Sequence, residues 1–488
     1  MTPLLLGGEM PHWSDHSPAG GVPLRELAGS AHGHVLVVGP HDPALVDAIP
    51  ARQVTVLVRG VPDAEELAAR WVDRPGVQVC CGSLDKLAAV PAYDTVVALD
   101  GLDRTGSTEA ADLPWPAALD RLLAVLRPGG RLLLSVTNPV GLNRLYAGAL
   151  PPDDSAWAPF SRETPAGPGA VRDHLRAAGL EPLRAYAAYP APQSPTVLLS
   201  EDALNDPQLH GYLTTALRRA GLPGGPLLAD PRPLADDLLR HGLAVPLAPA
   251  WIVVAARPGH RPAPLPDGLV ADGHLLRTPG GWLAGGVPVA AGECLHDVLL
   301  AAARSGDRPS FRALLTAWQS GVHADVPADA IVISPDGTLH APPPTPPAAP
   351  AAALAAASAP AAAPALSQLA AAMHAEGLSH LWPADDIGQL LAAMAGHSEI
   401  PPAVPRATPE TLRELTAAHD LLARRLDEAK TQLIWYEQRT ATLQSELNRA
   451  HRIITVLKAT PGGRAATAVL AGARRGRRLA TAALRRLR

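Results

Sequence analysis

Between residues 34 and 137, short apolar runs alternate with amphipathic stretches in a regular rhythm. HVLVVG (34–39), QVTVLVRG (53–60), VQVCC (77–81), YDTVVALD (93–100) and RLLLSVT (131–137) are rich in Val and Leu and of strand length. PALVDAI (43–49), DAEELAARWV (63–72) and WPAALDRLLAVL (115–126) lie between them with apolar residues at helical spacing. This alternation predicts right-handed crossovers and a parallel sheet buried on both faces. A helix (169–180) and a strand (181–191) continue it. APAWIVVAARPG (248–259) reads as the last strand of the same sheet, with residues 200–245 as a helical insertion ahead of it. Ligands of such sheets bind at the carboxyl ends of the strands.

The chain therefore divides by pattern. Residues 1–32 are an N-terminal extension with little periodicity, and 33–259 are the α/β domain. Residues 260–340 read as a small α+β unit: HLLRTPGGWL and AIVISPDGTLHA as short strands, ECLHDVLLAAA and SFRALLTAWQSG as helices. Residues 341–407 form a Pro/Ala-rich linker, with short helices expected at 366–377 and 386–396. Thr408 then caps a helix that has Pro409 at its first position.

Heptads counted from Leu412 place Leu412, His419, Leu426, Leu433, Thr440, Leu447 and Ile454 at one seam position. Leu415, Leu422, Ala429, Tyr436, Leu443, Ala450 and Leu457 fall at the other. Twelve of these fourteen are apolar or aromatic, which predicts a coiled coil over 408–460. A rod of roughly 75 Å cannot bury its own seam, and a second copy of the chain is the simplest partner.

Charge separates the ends. The formal net charge is -4, yet no Asp or Glu follows Glu446 while eleven Lys and Arg do. The basic tail, 461–488, suits an anionic membrane surface or another polyanion. Nucleic acid is the weaker partner, because no recognition motif or interleaved aromatics accompany the arginines. The three cysteines, Cys80, Cys81 and Cys294, are an odd set without zinc spacing, and the 18 His are scattered, so no metal site is expected. The N-terminus does not read as a signal peptide, and the uncharged stretch 341–375 contains eight prolines. These features predict a cytoplasmic chain, peripheral at the inner membrane face through its tail.

Several motifs carry a resemblance. VLVVG before a helix, YDTVVALDGL, and above all LDRLLAVLRPGGRLLLSV resemble the class I S-adenosylmethionine-dependent methyltransferases, as does the closing AWIVVAARPG. The resemblance implies a Rossmann-like, mostly parallel seven-stranded sheet with cofactor between the carboxyl ends of strands one, two and four. RAYAAYPAP and TVLLSEDAL are similar to methyltransferase-like proteins linked to glycosyltransferase modules in surface-glycan pathways.

The ligand-bearing positions depart from that family. The first turn is Gly39-Pro40-His41-Asp42-Pro43, with one glycine kept, and Val37 stands where an acid is usual. Strand two ends Val58-Arg59 without the carboxylate that binds ribose. Ser83 replaces the usual Asp after strand three, while Asp100 remains after strand four. The resemblance makes Gly39, His41, Arg59, Ser83 and Asp100 the candidate residues for S-adenosylmethionine; no catalytic base is identifiable. Two readings follow. One is a methyltransferase acting on a glycan or other small-molecule precursor. The other is a catalytically silent scaffold of the same fold, oligomerised by its coiled coil and tethered by its tail.

Overall fold

The computed structural model describes residues 2–107, 113–147, 164–223, 227–259, 264–271, 273–342, 363–378, 382 and 387–396, with scattered helical positions between 426 and 474. The chain forms two compact units, Met1–Glu410 and Thr411–Arg488.

The first unit is built on one mixed sheet. Its strands in chain order are β1 (Leu4–Gly7), β2 (His34–Val38), β3 (Gln53–Val58), β4 (Val77–Gly82), β5 (Tyr93–Ala98), β6 (Leu126–Thr137), β7 (Glu181–Tyr189), β8 (Val197–Ser200), β9 (Ala250–Ala256), β10 (Gly268–Val270), β11 (Gly273–Thr278), β12 (Gly281–Ala284) and β13 (Val287–Pro288). They lie in the order β1-β4-β3-β2-β5-β6-β9-β7-β8-β10-β11-β12-β13. The strands from β4 through β6 run parallel. β9 is antiparallel to both β6 and β7. The seven expected strands thus form the centre of this sheet.

Period-two alternation sends side chains to both faces. Val35, Val37, Val54, Val56 and Val97 meet one core, and Leu36, Val38, Leu57, Val96 and Leu134 meet the other. Each aliphatic side chain buried this way contributes about 1.5–3 kcal/mol.

Three features depart from the sequence reading. The extension 1–32 is not patternless: β1 adds to the sheet edge in parallel with β4, pairing Leu4 with Cys80 and Leu5 with Cys81. The sheet crosses the boundary expected at residue 259, since β10 pairs with β8 and leads an antiparallel meander to β13. Finally, β6 starts at Leu126, so Leu-Arg-Pro-Gly-Gly lies within the strand. Gly129 at φ 69 and a register shift opposite Tyr93/Thr95 absorb the irregularity.

A separate small core follows. Helices Leu295–Ser305 and Arg308–Gln319 stand beside a three-stranded sheet of β14 (Glu293–Cys294), β15 (Val332–Ile333) and β16 (Leu339–His340). Beyond the Pro/Ala stretch, the helices Ala363–Ala375 and Ile387–Ala395 return to this core. Leu366, Leu369 and Leu391 pack with Leu299, Phe311 and Leu315, and the Phe311 and Trp382 rings stand 4.7 Å apart. An Arg304–Glu376 ion pair joins the two sides of the linker.

The expected coiled coil (408–460) and tail (461–488) lie largely outside the described residues. Those described from 426 to 455 are helical, with Leu426, Leu433, Tyr436, Leu443 and Leu447 exposed. No described helix is long and apolar enough to cross a membrane.

Candidate functional site

The carboxyl ends of β2, β3, β4 and β5 converge where a sheet of this order holds its ligand. Gly39 follows β2 at φ 92, a left-handed conformation that a side chain would strain. Asp42 caps the next helix through the Ala44 amide (2.8 Å), and Pro43 occupies its first turn.

His41 spans from the end of β2 to the end of β5. Its Nδ1 lies 3.0 Å from the Gly39 carbonyl, and the Leu99 amide donates to its Nε2 at 3.1 Å. A carbonyl only accepts and an amide only donates, so the ring is the neutral Nδ1–H tautomer. Burial, helped by the Arg104 charge and opposed by the Gly39 bond, lowers its pKa to about 4.

Arg59, at the end of β3, is buried and bound to Asp15. The guanidinium donates from Nη2 to Oδ1 at 2.6 Å and from Nε to Oδ2 at 2.9 Å. Its Nη1 donates to the Gly106 carbonyl at 3.3 Å, and the Trp13 ring lies 5.4 Å from its Cζ. Trp13 Nε1 also donates to Asp15. Asp100, after β5, is forked by Arg104, whose Nη1 and Nη2 reach the carbonyls of His16 and Ser17 at 2.6 and 3.1 Å. Ser83 is fully buried after β4, its amide donating to Gly7 at 3.1 Å.

All five candidate residues therefore gather at one end of the sheet, and their partners come from this chain. His41, Arg59, Ser83 and Asp100 are between 0 and 7% exposed. The covering segment is residues 9–21. Met10 forms a parallel bridge with Gly60 and exchanges backbone bonds with Arg59 and Val61 (2.8 and 3.1 Å). Asp15 receives Arg59, Ala19 bridges His41, and the Gly20 amide reaches the Gln193 carbonyl at 2.8 Å. The segment thus runs from β4 across the ends of β3, β5 and β2.

Sequence reasoning missed Asp15, Trp13 and the positioning role of Arg104. The available signal was Arg59: a buried strand-end guanidinium requires an anion, and the extension contains an aspartate.

These residues do not fit S-adenosylmethionine. The place for a ribose-binding carboxylate holds a guanidinium already paired with Asp15, and an imidazole spans the gap beside the first glycine. Among the described residues, no group of three or more His, Cys, Asp or Glu could hold a metal ion.

No family model matches the chain, and no curated protein matches it. Solved structures to which it is similar include the 1,6-didemethyltoxoflavin-N1-methyltransferase of Burkholderia thailandensis, at 19% identity over 48% of this chain and 76% of that one, with a TM-score of 0.26. They also include the CcbJ methyltransferase of Streptomyces caelestis, at 16% identity over 50% and 98%, with a TM-score of 0.27. The N-methyltransferase NodS of Bradyrhizobium japonicum WM9 shares 14% over 35% and 86%, with a TM-score of 0.24. None of these likenesses bears on activity; the strand order carries the fold assignment.

Proposed function

We propose that this chain is a catalytically silent methyltransferase-fold protein that serves as a scaffold. The observation that carries this reading is the filled cleft, where His41 bridges Gly39 and Leu99 and Asp15 pairs with the buried Arg59. A sulfonium cofactor would have to displace both and then lie beside an uncompensated guanidinium, a like charge in a low dielectric. Methyl transfer to the hydroxyl of a glycan or other small-molecule precursor would also need a free base near the acceptor. Both ring nitrogens of His41 are already engaged.

The scaffold half of the reading assigns self-association to residues 408–460, supported by their heptads. It assigns attachment to an anionic membrane surface or polyanion to the basic tail, supported by the arginine pairs at 474/475, 477/478 and 485/486. Calorimetry of the intact chain with S-adenosylmethionine and with S-adenosylhomocysteine tests the silent half. No heat from either is expected; saturable heat from one of them overturns the claim that the cleft excludes the cofactor.

A further inference from the structure

We propose that the cleft at the ends of β2, β3 and β5 is a binding site for an acidic peptide, and that residues 13–17 occupy it in cis as a releasable latch. This rests on the silent reading above and adds the class of ligand.

The chemistry of the site is that of peptide recognition. Arg59 holds a carboxylate in a two-pronged fork and lies beside an aromatic ring two residues upstream of that carboxylate. Arg104 takes the next two backbone carbonyls, His16 and Ser17. Parallel bridges at Met10–Gly60 and Ala19–His41 set the backbone on either side. What is read is therefore an aromatic residue, a spacer and an acid, followed by the backbone carbonyls of a bend at His16 and Ser17. Arg104 is already neutralised by Asp100, so the charge that an incoming group must answer is that of Arg59.

The latch is built to come away. Its apolar anchors are Met10 and Ala19, while Pro11, His12, His16, Ser17 and Pro18 between them are exposed. Polar contacts rather than core packing hold the centre, which places it at the low-stability end of the fold. Ser17, whose carbonyl meets Arg104, has φ 55, the one positive φ outside glycine among the described residues. That strained turn relaxes when the segment leaves. Gly21, at φ 101, stands at the base of the segment, directly before the helix Val22–Ala28.

A labelled peptide with the sequence of residues 9–21 tests the proposal by fluorescence anisotropy on the full chain. The Asp15→Asn chain is expected to bind it at least tenfold more tightly than the unaltered chain. Affinity should weaken as salt rises, and a peptide carrying the same Asp15→Asn change should lose at least tenfold. Equal binding to both chains, or no preference between the peptides, overturns the proposal. So does displacement of the peptide by millimolar inorganic phosphate, which would mark a simple anion pocket. A second measurement needs no variant: excess free peptide should speed amide exchange at residues 10–20 of the unaltered chain several-fold, and unchanged exchange overturns the proposal. Heat with S-adenosylmethionine would overturn the filled-cleft argument above separately. Failed peptide binding without such heat would end only the peptide site.

Discussion

Asp15 and Arg59 are 44 residues apart in the chain, yet their side chains meet in a fork of 2.6 and 2.9 Å at 3% and 2% exposure. One belongs to an extension without sequence pattern and the other ends a central strand. Their pairing fixes what lies over the carboxyl edge of the sheet.

Breaking that pair should be costly, because each partner leaves a buried charge behind. Asp15→Asn or Arg59→Met is expected to lower unfolding stability by about 3 kcal/mol in urea titrations. The double variant should cost less than the sum of the singles. Additive effects would show that the two charges are independently solvated.

His41 sets a pH dependence. Its folded pKa of about 4 lies below the unfolded value of 6.5. Its contribution is fully present above pH 6.5 and is lost as pH falls toward 4, by about 3 kcal/mol in total. His41→Ala should be less stable at pH 7.5, since the Leu99 amide loses its acceptor, and should lack this acid limb. Denaturant midpoints measured from pH 8 to pH 4 check both points; an identical acid limb in the variant refutes the assignment.

Gly60 is a steric probe of the covering segment. A Cβ there would stand 2.4 Å from the Trp13 carbonyl oxygen, although φ -83 suits any residue. Gly60→Ala should raise amide exchange across residues 10–20 at least tenfold while β2 and β5 stay protected. Unaltered exchange in the segment would mean that Trp13 shifts without cost.

In the small core, Trp382→Ala removes a buried ring packed on Phe311. A loss of about 3 kcal/mol is expected, read as earlier unfolding of residues 295–331 by hydrogen exchange, with the main sheet unaffected.

The coiled-coil proposal has its own check. Light scattering should give the intact chain a multiple of its sequence mass, and deletion of residues 408–460 should return it to a monomer. The same oligomer size before and after deletion would rule the rod out as the association element.

The central strands were legible because Val and Leu runs such as 34–39 and 53–58 must be buried on both faces. β1 was not legible. It has four residues, LLLG, and pairs with Cys80–Gly82, a contact that no local pattern announces. The meander β10–β13 was hidden for a related reason. Its strands are two to six residues long, and their place depends on the free edge of β8. The eroded glycine turn was visible in sequence, but the chain's own occupant of the cleft was not, because the partner of Arg59 is chosen by tertiary geometry.

The helices Ala363–Ala375 and Ile387–Ala395 share one core with Leu295–Ser305 and Arg308–Gln319 across the Pro/Ala stretch. A protease cut between residues 343 and 362 should therefore yield two fragments that travel together through a sizing column and part only in denaturant. A clean nick on a gel would then say nothing about loss of the C-terminal fragment.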